Sequence, residues 1–229
     1  MMSVDILEAG LALCLVAVAL ACLLDRHLRR TCRLFLLFTL LMSLAWWQWQ
    51  APLLGLMELV LGGALTGGSF FYALKAFPSA HPEAAHYDRV QHGAGHVISR
   101  GLLALAWSVM IGAALRYLLP DMVYSLSEHP LMLAAVVMVS AAMGAFALHR
   151  HWLRRLMAFN VLGSGVFLLL AGMVGPLPNA QALIGVGLLI AWLGTLLGVL
   201  LIRHLLQLEG VSALVDEQPA PLAPREASQ

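Results

Sequence analysis

Residues 53–74 read LLGLMELVLGGALTGGSFFYAL, a run without Lys, Arg, His or Asp and with a single acid, Glu58. At about 1.5 Å per helical residue such a run covers roughly 33 Å, the thickness of bilayer hydrocarbon. Helix is the conformation that satisfies the backbone inside one segment there. Six further runs share this character: Ile6 to Leu24, Leu34 to Gln50, Gly101 to Leu119, Leu131 to Leu148, Leu156 to Val174 and Ala180 to Ile202. The sequence therefore predicts an all-α polytopic membrane protein of about seven transmembrane helices. The second and third helices meet at a very short turn near Ala51 and Pro52.

Composition agrees. Of the 229 residues 61% are hydrophobic and 11% charged, whereas a soluble domain carries about 25% charged residues. A formal net charge of +1 leaves no basic face for a nucleic acid. Cys14, Cys22 and Cys32 form neither a disulfide framework nor a CxxC pair and read as packing residues. The leading residues of the first run carry Asp5 and Glu8 and no Lys or Arg, so it reads as a retained helix rather than a signal peptide.

Threaded alternately, seven spans put every Lys and Arg except Arg116 on one side. Arg26, Arg29, Arg30 and Arg33 follow the first run. Lys75, Arg89 and Arg100 bracket the loop after the third. Arg150, Arg154 and Arg155 follow the fifth, and Arg203 and Arg225 the seventh. The positive side is cytoplasmic, so the N-terminus is expected outside and the C-terminus inside. Residues 78–100 form a polar loop on the inner side. The tail 209–229, with Pro219, Pro221 and Pro224, is too poor in apolar residues to fold alone and is expected to be disordered.

Glu58 is the group with chemistry to explain. A carboxylate at mid-helix in a bilayer costs roughly 2.5 to 3.5 kcal/mol, so it has a partner, a hydrated cavity or a proton. No acid or base lies within a helical turn of it, so its partner must come from another helix or chain. One reading places it in a proton or cation path, the other makes it a protonated structural residue. Gly55, Glu58, Gly62, Thr66 and Ser69 recur every three or four residues and share a face. The glycines at 62, 63, 67 and 68 weaken the helical ladder, which makes a kink or π-bulge an expected feature beside plain close packing. Asn160, Gly163, Ser164 and Gly165 on the sixth run face Gly187, Gly194, Thr195 and Gly198 on the seventh. The choice there is between packing and a hydrated contact. His81, His86, His92 and His96 cluster in the loop without a zinc spacing, and a solvated surface is the simpler reading than a metal site. His149 and His151 read as part of an interfacial basic belt. No hydrolase, nucleotide-binding or haem motif occurs, so neither an enzyme nor a cofactor is expected.

The stretch from Ala51 to Thr66, APLLGLMELVLGGALT, resembles the A-P-D-V-A-L-T-E-A-x-x-G-x-x-L-T signature of a three-helix membrane module. That module ends the large A subunit of Mrp-type sodium/proton antiporters, recurs as a small subunit of membrane-bound hydrogenases, and is related distantly to the J-type subunit of complex I. The resemblance implies that Glu58 is the module's intramembrane glutamate, part of its ion path. The motif's Asp is Leu53 here. Arg150 to Leu170 with Pro176-Leu177-Pro178 and Gln181-Ala182-Leu183 resembles the C-type Mrp subunit and its K-type relative in complex I, with Asn160 where the K-type glutamate falls. Leu102 to Pro120 resembles, weakly, the single helix of the E-like hydrogenase or Mrp B subunit.

These resemblances imply a fusion: residues 1–77 as a J-like module, 78–100 as the histidine loop, 101–127 as a linking helix, 128–208 as a K-like module, and 209–229 as the tail. They imply a non-catalytic subunit of a cation/proton translocating complex in a prokaryotic inner membrane. Its partners would be large antiporter-type subunits related to L, M and N of complex I, other small Mrp-like subunits, lipid, and Na+ or H+. Glu58 would carry the ion path, with Gly62, Thr66, Asn160, Ser164 and Thr195 as hydrated or packing contacts. Two alternatives stand beside this reading. One is a subunit of an energy-converting hydrogenase or of another redox-driven or carbon-uptake complex, the other a structural scaffold without an ion path.

Overall fold

A computed structural model describes residues 2–25, 27–75, 129–149, 151–175 and 177–209, with isolated positions between 99 and 117. The described residues are helical throughout their long segments and include no extended strand. We number the helices α1 (Met2–Leu24), α2 (Leu28–Gln48), α3 (Pro52–Leu74), α4 (Pro130–Leu148), α5 (Trp152–Val174) and α6 (Pro178–Glu209). Positions 102, 105 and 117, within the expected linking helix, are helical and exposed. The histidines at 81, 86, 92 and 96 and the tail beyond 209 lie outside the described residues.

Five of these helices are long and apolar enough to cross a membrane: α1, α3, α4, α5 and α6. The sixth, α2, starts at Leu28 rather than at Leu34, and so takes Arg29, Arg30 and Arg33 into its first two turns. Its apolar part is correspondingly short. The bundle surface is that of a lipid-facing protein. Along α6, Leu183, Val186, Ile190, Leu193, Leu197 and Leu201 are all exposed, while Ile184, Leu188, Thr195, Val199 and Ile202 on the other face are buried. A continuous apolar stripe of this length would be a liability in water and is the ordinary surface of a helix in hydrocarbon.

Packing closes the six helices into a ring. The neighbours run α1 with α2, α2 with α3, α3 with α6, α6 with α5, α5 with α4, and α4 back to α1. The first three and the last three helices thus share one core, which includes Leu15, Phe35, Phe38, Trp46, Phe70, Leu131 and Leu168. Phe35 of α2 meets Phe70 of α3 edge to face at 5.0 Å, the arrangement favoured by the ring quadrupoles.

One end of the bundle is basic and polar. There Arg154 of α5 and His149 after α4 both reach the Leu23 carbonyl at the end of α1. Arg203 of α6 stacks on Tyr72 of α3 at 3.7 Å and donates to its carbonyl. Arg30 pairs with Asp25 at 3.6 Å. His149 and His151 are both buried, which corrects their reading as an interfacial belt. His149 bonds across the bundle, and His151 caps α5 by accepting the Leu153 N–H on Nδ1.

Candidate functional site: a buried carboxyl in a π-helical break

The α3 helix is α-helical over Pro52–Met57, π-helical over Glu58–Thr66 and α-helical again over Gly67–Leu74. Glu58 opens the π segment. A π turn bonds i to i+5, is wider than an α turn, and is a rare feature that occurs frequently at functional sites. The local sequence permits it. Gly62 and Gly63 fall inside the segment and Gly67 and Gly68 follow it, so few side chains resist the wider winding.

The stripe anticipated on this helix faces inward. Gly55, Glu58, Thr66 and Ser69 are buried and Gly62 is half-buried. Small residues are needed there because α2 lies close. Ser43 Oγ donates to the Gly55 carbonyl at 2.8 Å, a side chain at Gly55 would run into the Trp47 ring, and one at Gly67 into Leu36. Leu53, where the resembling motif has Asp, is 70% exposed and points away from the bundle.

Glu58 is 1% exposed. Its Oε1 accepts from Ser164 Oγ of α5 at 3.4 Å, so the polar partner comes from another helix. Its Oε2 is buried without a hydrogen bond. The Trp46 indole of α2 is turned toward the carboxyl, yet its Nε1–H makes no hydrogen bond of acceptable geometry. Gly62 leaves room for the carboxyl, since a Cβ there would sit 2.9 Å from Oε1.

Beside the carboxyl is a void of about 20 Å³ whose wall includes Glu58, Gly62, Thr66, Asn160, Ser164 and Trp192. Five of the residues singled out in the sequence are therefore brought to one place. Thr195 is not on that wall but is joined to it. Asn160 Nδ2 donates to Thr195 Oγ1 at 2.8 Å and to the Leu156 carbonyl at 2.8 Å. The Thr195 hydroxyl in turn lies 3.0 Å from Asn160 Oδ1 and 2.9 Å from the Ala191 carbonyl. This pair ties α5 to α6, while Gly187 and Gly198 of α6 lie against Phe167 and Leu156 of α5. Gly165 instead faces Val139 of α4.

A larger cavity of about 310 Å³ opens at the end of the bundle away from the arginines. Glu8, Gln50, His129 and Gln181 give it polar groups, and Trp46 and Leu54 belong to its wall. Trp46 thus stands between this cavity and Glu58. Trp46 and Trp192 were not legible as site residues, because a tryptophan in an apolar run reads as bulk. Their available signal was the N–H that a buried indole must satisfy.

Compared with known proteins, the chain matches no protein-family model, no curated protein and no solved structure.

Proposed function

We propose that this chain is a non-catalytic membrane subunit of an Mrp-like cation/proton translocating complex, with Glu58 in the ion path. In this reading seven spans cross a prokaryotic inner membrane, the arginine end of the bundle is cytoplasmic, and large antiporter-type subunits pack beside it. One observation carries the reading: Glu58 is buried against Ser164 of α5 and a small void with Thr66 and Asn160 on its otherwise mostly apolar wall, inside a π-helical break, rather than turned to lipid. An intramembrane ionisable residue with that setting is a functional group by default.

The outer cavity, with its acid, histidine and amides, is where a proton or a cation arrives. Trp46 separates it from the carboxyl. Glu58 then binds the proton, or takes part of the cation's hydration, and a charge change in a neighbouring subunit alters its affinity and releases the ion. Because two sites are coupled, binding at either one changes the other by the same factor.

The test is Glu58→Gln, which keeps shape and hydrogen-bonding capacity but removes the proton-binding group. Cation-dependent proton flux across inverted vesicles is expected to disappear while the subunit still co-purifies with its partners. Unchanged flux in an assembled Glu58→Gln complex overturns the proposal.

A further inference from the structure

Among the described residues three buried side-chain atoms lack a hydrogen-bond partner, Glu58 Oε2 and the indole nitrogens of Trp46 and Trp192. The Trp46 indole is turned toward the carboxyl from α2 and is not on the wall of the void, which leaves one acceptor and one donor there. Glu58 Oε2 is an acceptor and Trp192 Nε1–H is a donor. Their residues stand on the wall of the same void of about 20 Å³. That volume exceeds the roughly 10 to 15 Å³ one water requires and does not exceed the roughly 20 to 30 Å³ that two would need. We infer that the void is a binding site for a single water molecule, bridging the Glu58 carboxyl on α3 to the Trp192 indole on α6.

The chemistry of the wall selects water. A buried water makes about three hydrogen bonds and needs both donors and acceptors around it. The carboxyl oxygen accepts and the indole N–H donates, and Thr66 and Asn160 are polar residues of the same wall. The Asn160 N–H groups are given to Leu156 and Thr195, so its contribution there is as an acceptor. A dehydrated monovalent cation wants oxygen on every side, and here it would face the positive edge of an indole N–H, which donates only. A buried polar atom left unpaired forfeits its hydration without return, so the bridge also explains how an otherwise orphaned pair is tolerated. Asn160 is itself held by Thr195 and Leu156, so this water links the carboxyl to the polar contact between α5 and α6.

The inference names the occupant of the site assigned above to Glu58 and rests on that reading, but its readout is independent of flux. Ultraviolet resonance Raman spectra of the full-length protein in lipid nanodiscs, minus those of Trp192→Phe, isolate the Trp192 indole. A hydrogen-bonded N–H is expected, unchanged when sodium is replaced by choline. A free N–H, or one whose bonding changes with sodium, overturns the water site. Should Trp192→Phe fail to fold, a high-resolution density map of the wild-type protein decides instead. One water peak between the two atoms supports the inference, and an empty void overturns it. Loss of flux in Glu58→Gln together with a free Trp192 N–H would keep the ion-path reading and reject the water alone.

Discussion

Arg154 of α5 closes the last turn of α1: its Nη2 donates to the Leu23 carbonyl at 3.0 Å and to the Asp25 carbonyl at 2.7 Å. The final carbonyls of a helix have no partner within it, and a cation there also opposes the negative end of the dipole. Arg154 itself lies in the first turn of α5, where a positive charge is unfavourable for its own helix. The gain is made across the bundle. His149 Nε2, 3.0 Å from the same Leu23 carbonyl, completes the cap.

Arg154→Leu removes a charged donor from each carbonyl and leaves that of Leu23 with His149 and that of Asp25 with the Thr31 hydroxyl at 3.3 Å. Because hydrogen bonds to charged groups are worth about 1.5 to 3 kcal/mol each, a loss of roughly 2 to 4 kcal/mol is expected in reversible denaturation of the detergent-solubilised protein. Arg154→Lys should recover only part of it, since an ammonium does not match the span of a guanidinium. A Leu variant as stable as the wild type would show that the cap contributes nothing.

Gly62→Ala tests how the carboxyl is positioned. The new methyl would stand 2.9 Å from Glu58 Oε1 and 3.3 Å from Thr39 Cγ2, and the flexible carboxyl is the group able to give way. Overpacking of this size costs about 1 to 3 kcal/mol. The protein is expected to assemble, and cation-dependent flux to fall toward the level of Glu58→Gln. Gly68→Ala on the same helix, where a methyl meets nothing within 4 Å, is the control and should transport normally.

Five of the seven expected runs were legible as helices long and apolar enough to cross a membrane, because hydropathy records which segments suit hydrocarbon, and so was the inward stripe of α3, because Gly55, Glu58, Thr66 and Ser69 recur at helical spacing. Hydropathy marks where lipid begins rather than where a helix begins, which is why α2 and α5 start several residues before their apolar runs, with arginines in their first turns. The partner of Glu58 was not legible. Ser164 lies 106 residues away, and periodicity along one helix says nothing about which other helix lies beside it. The burial of Arg154 was not legible for a related reason: it depends on α1 ending alongside. Asn160 and Thr195 were placed on facing helices correctly, since small residues around both allow the close approach their bond needs.

That Asn160–Thr195 bond has a measurable value. Hydrogen bonds between membrane helices average about 0.6 kcal/mol and reach roughly 1.7, because the separated helices find other partners. A double-mutant cycle of Asn160→Leu and Thr195→Val, read by denaturation, should give a coupling energy within that span. A coupling indistinguishable from zero would mean that glycine packing alone joins α5 to α6.

Orientation follows from two exposed residues at opposite ends of α3. Gln50, in the turn before it, has a positive φ of 58°, and Lys75 closes it at the arginine end. The native thiols are poor competitors for a water-soluble maleimide, since Cys22 and Cys32 are buried and Cys14 lies midway along the apolar α1. If the arginine end is cytoplasmic, Gln50→Cys is labelled by an impermeant maleimide in intact cells, and Lys75→Cys only after the membrane is opened. Polar, water-filled surroundings at the Gln50 end would also let the reagent into the outer cavity. The reverse labelling pattern would invert the bundle, put Glu58 nearest the cytoplasm, and require that the ion approach it from inside.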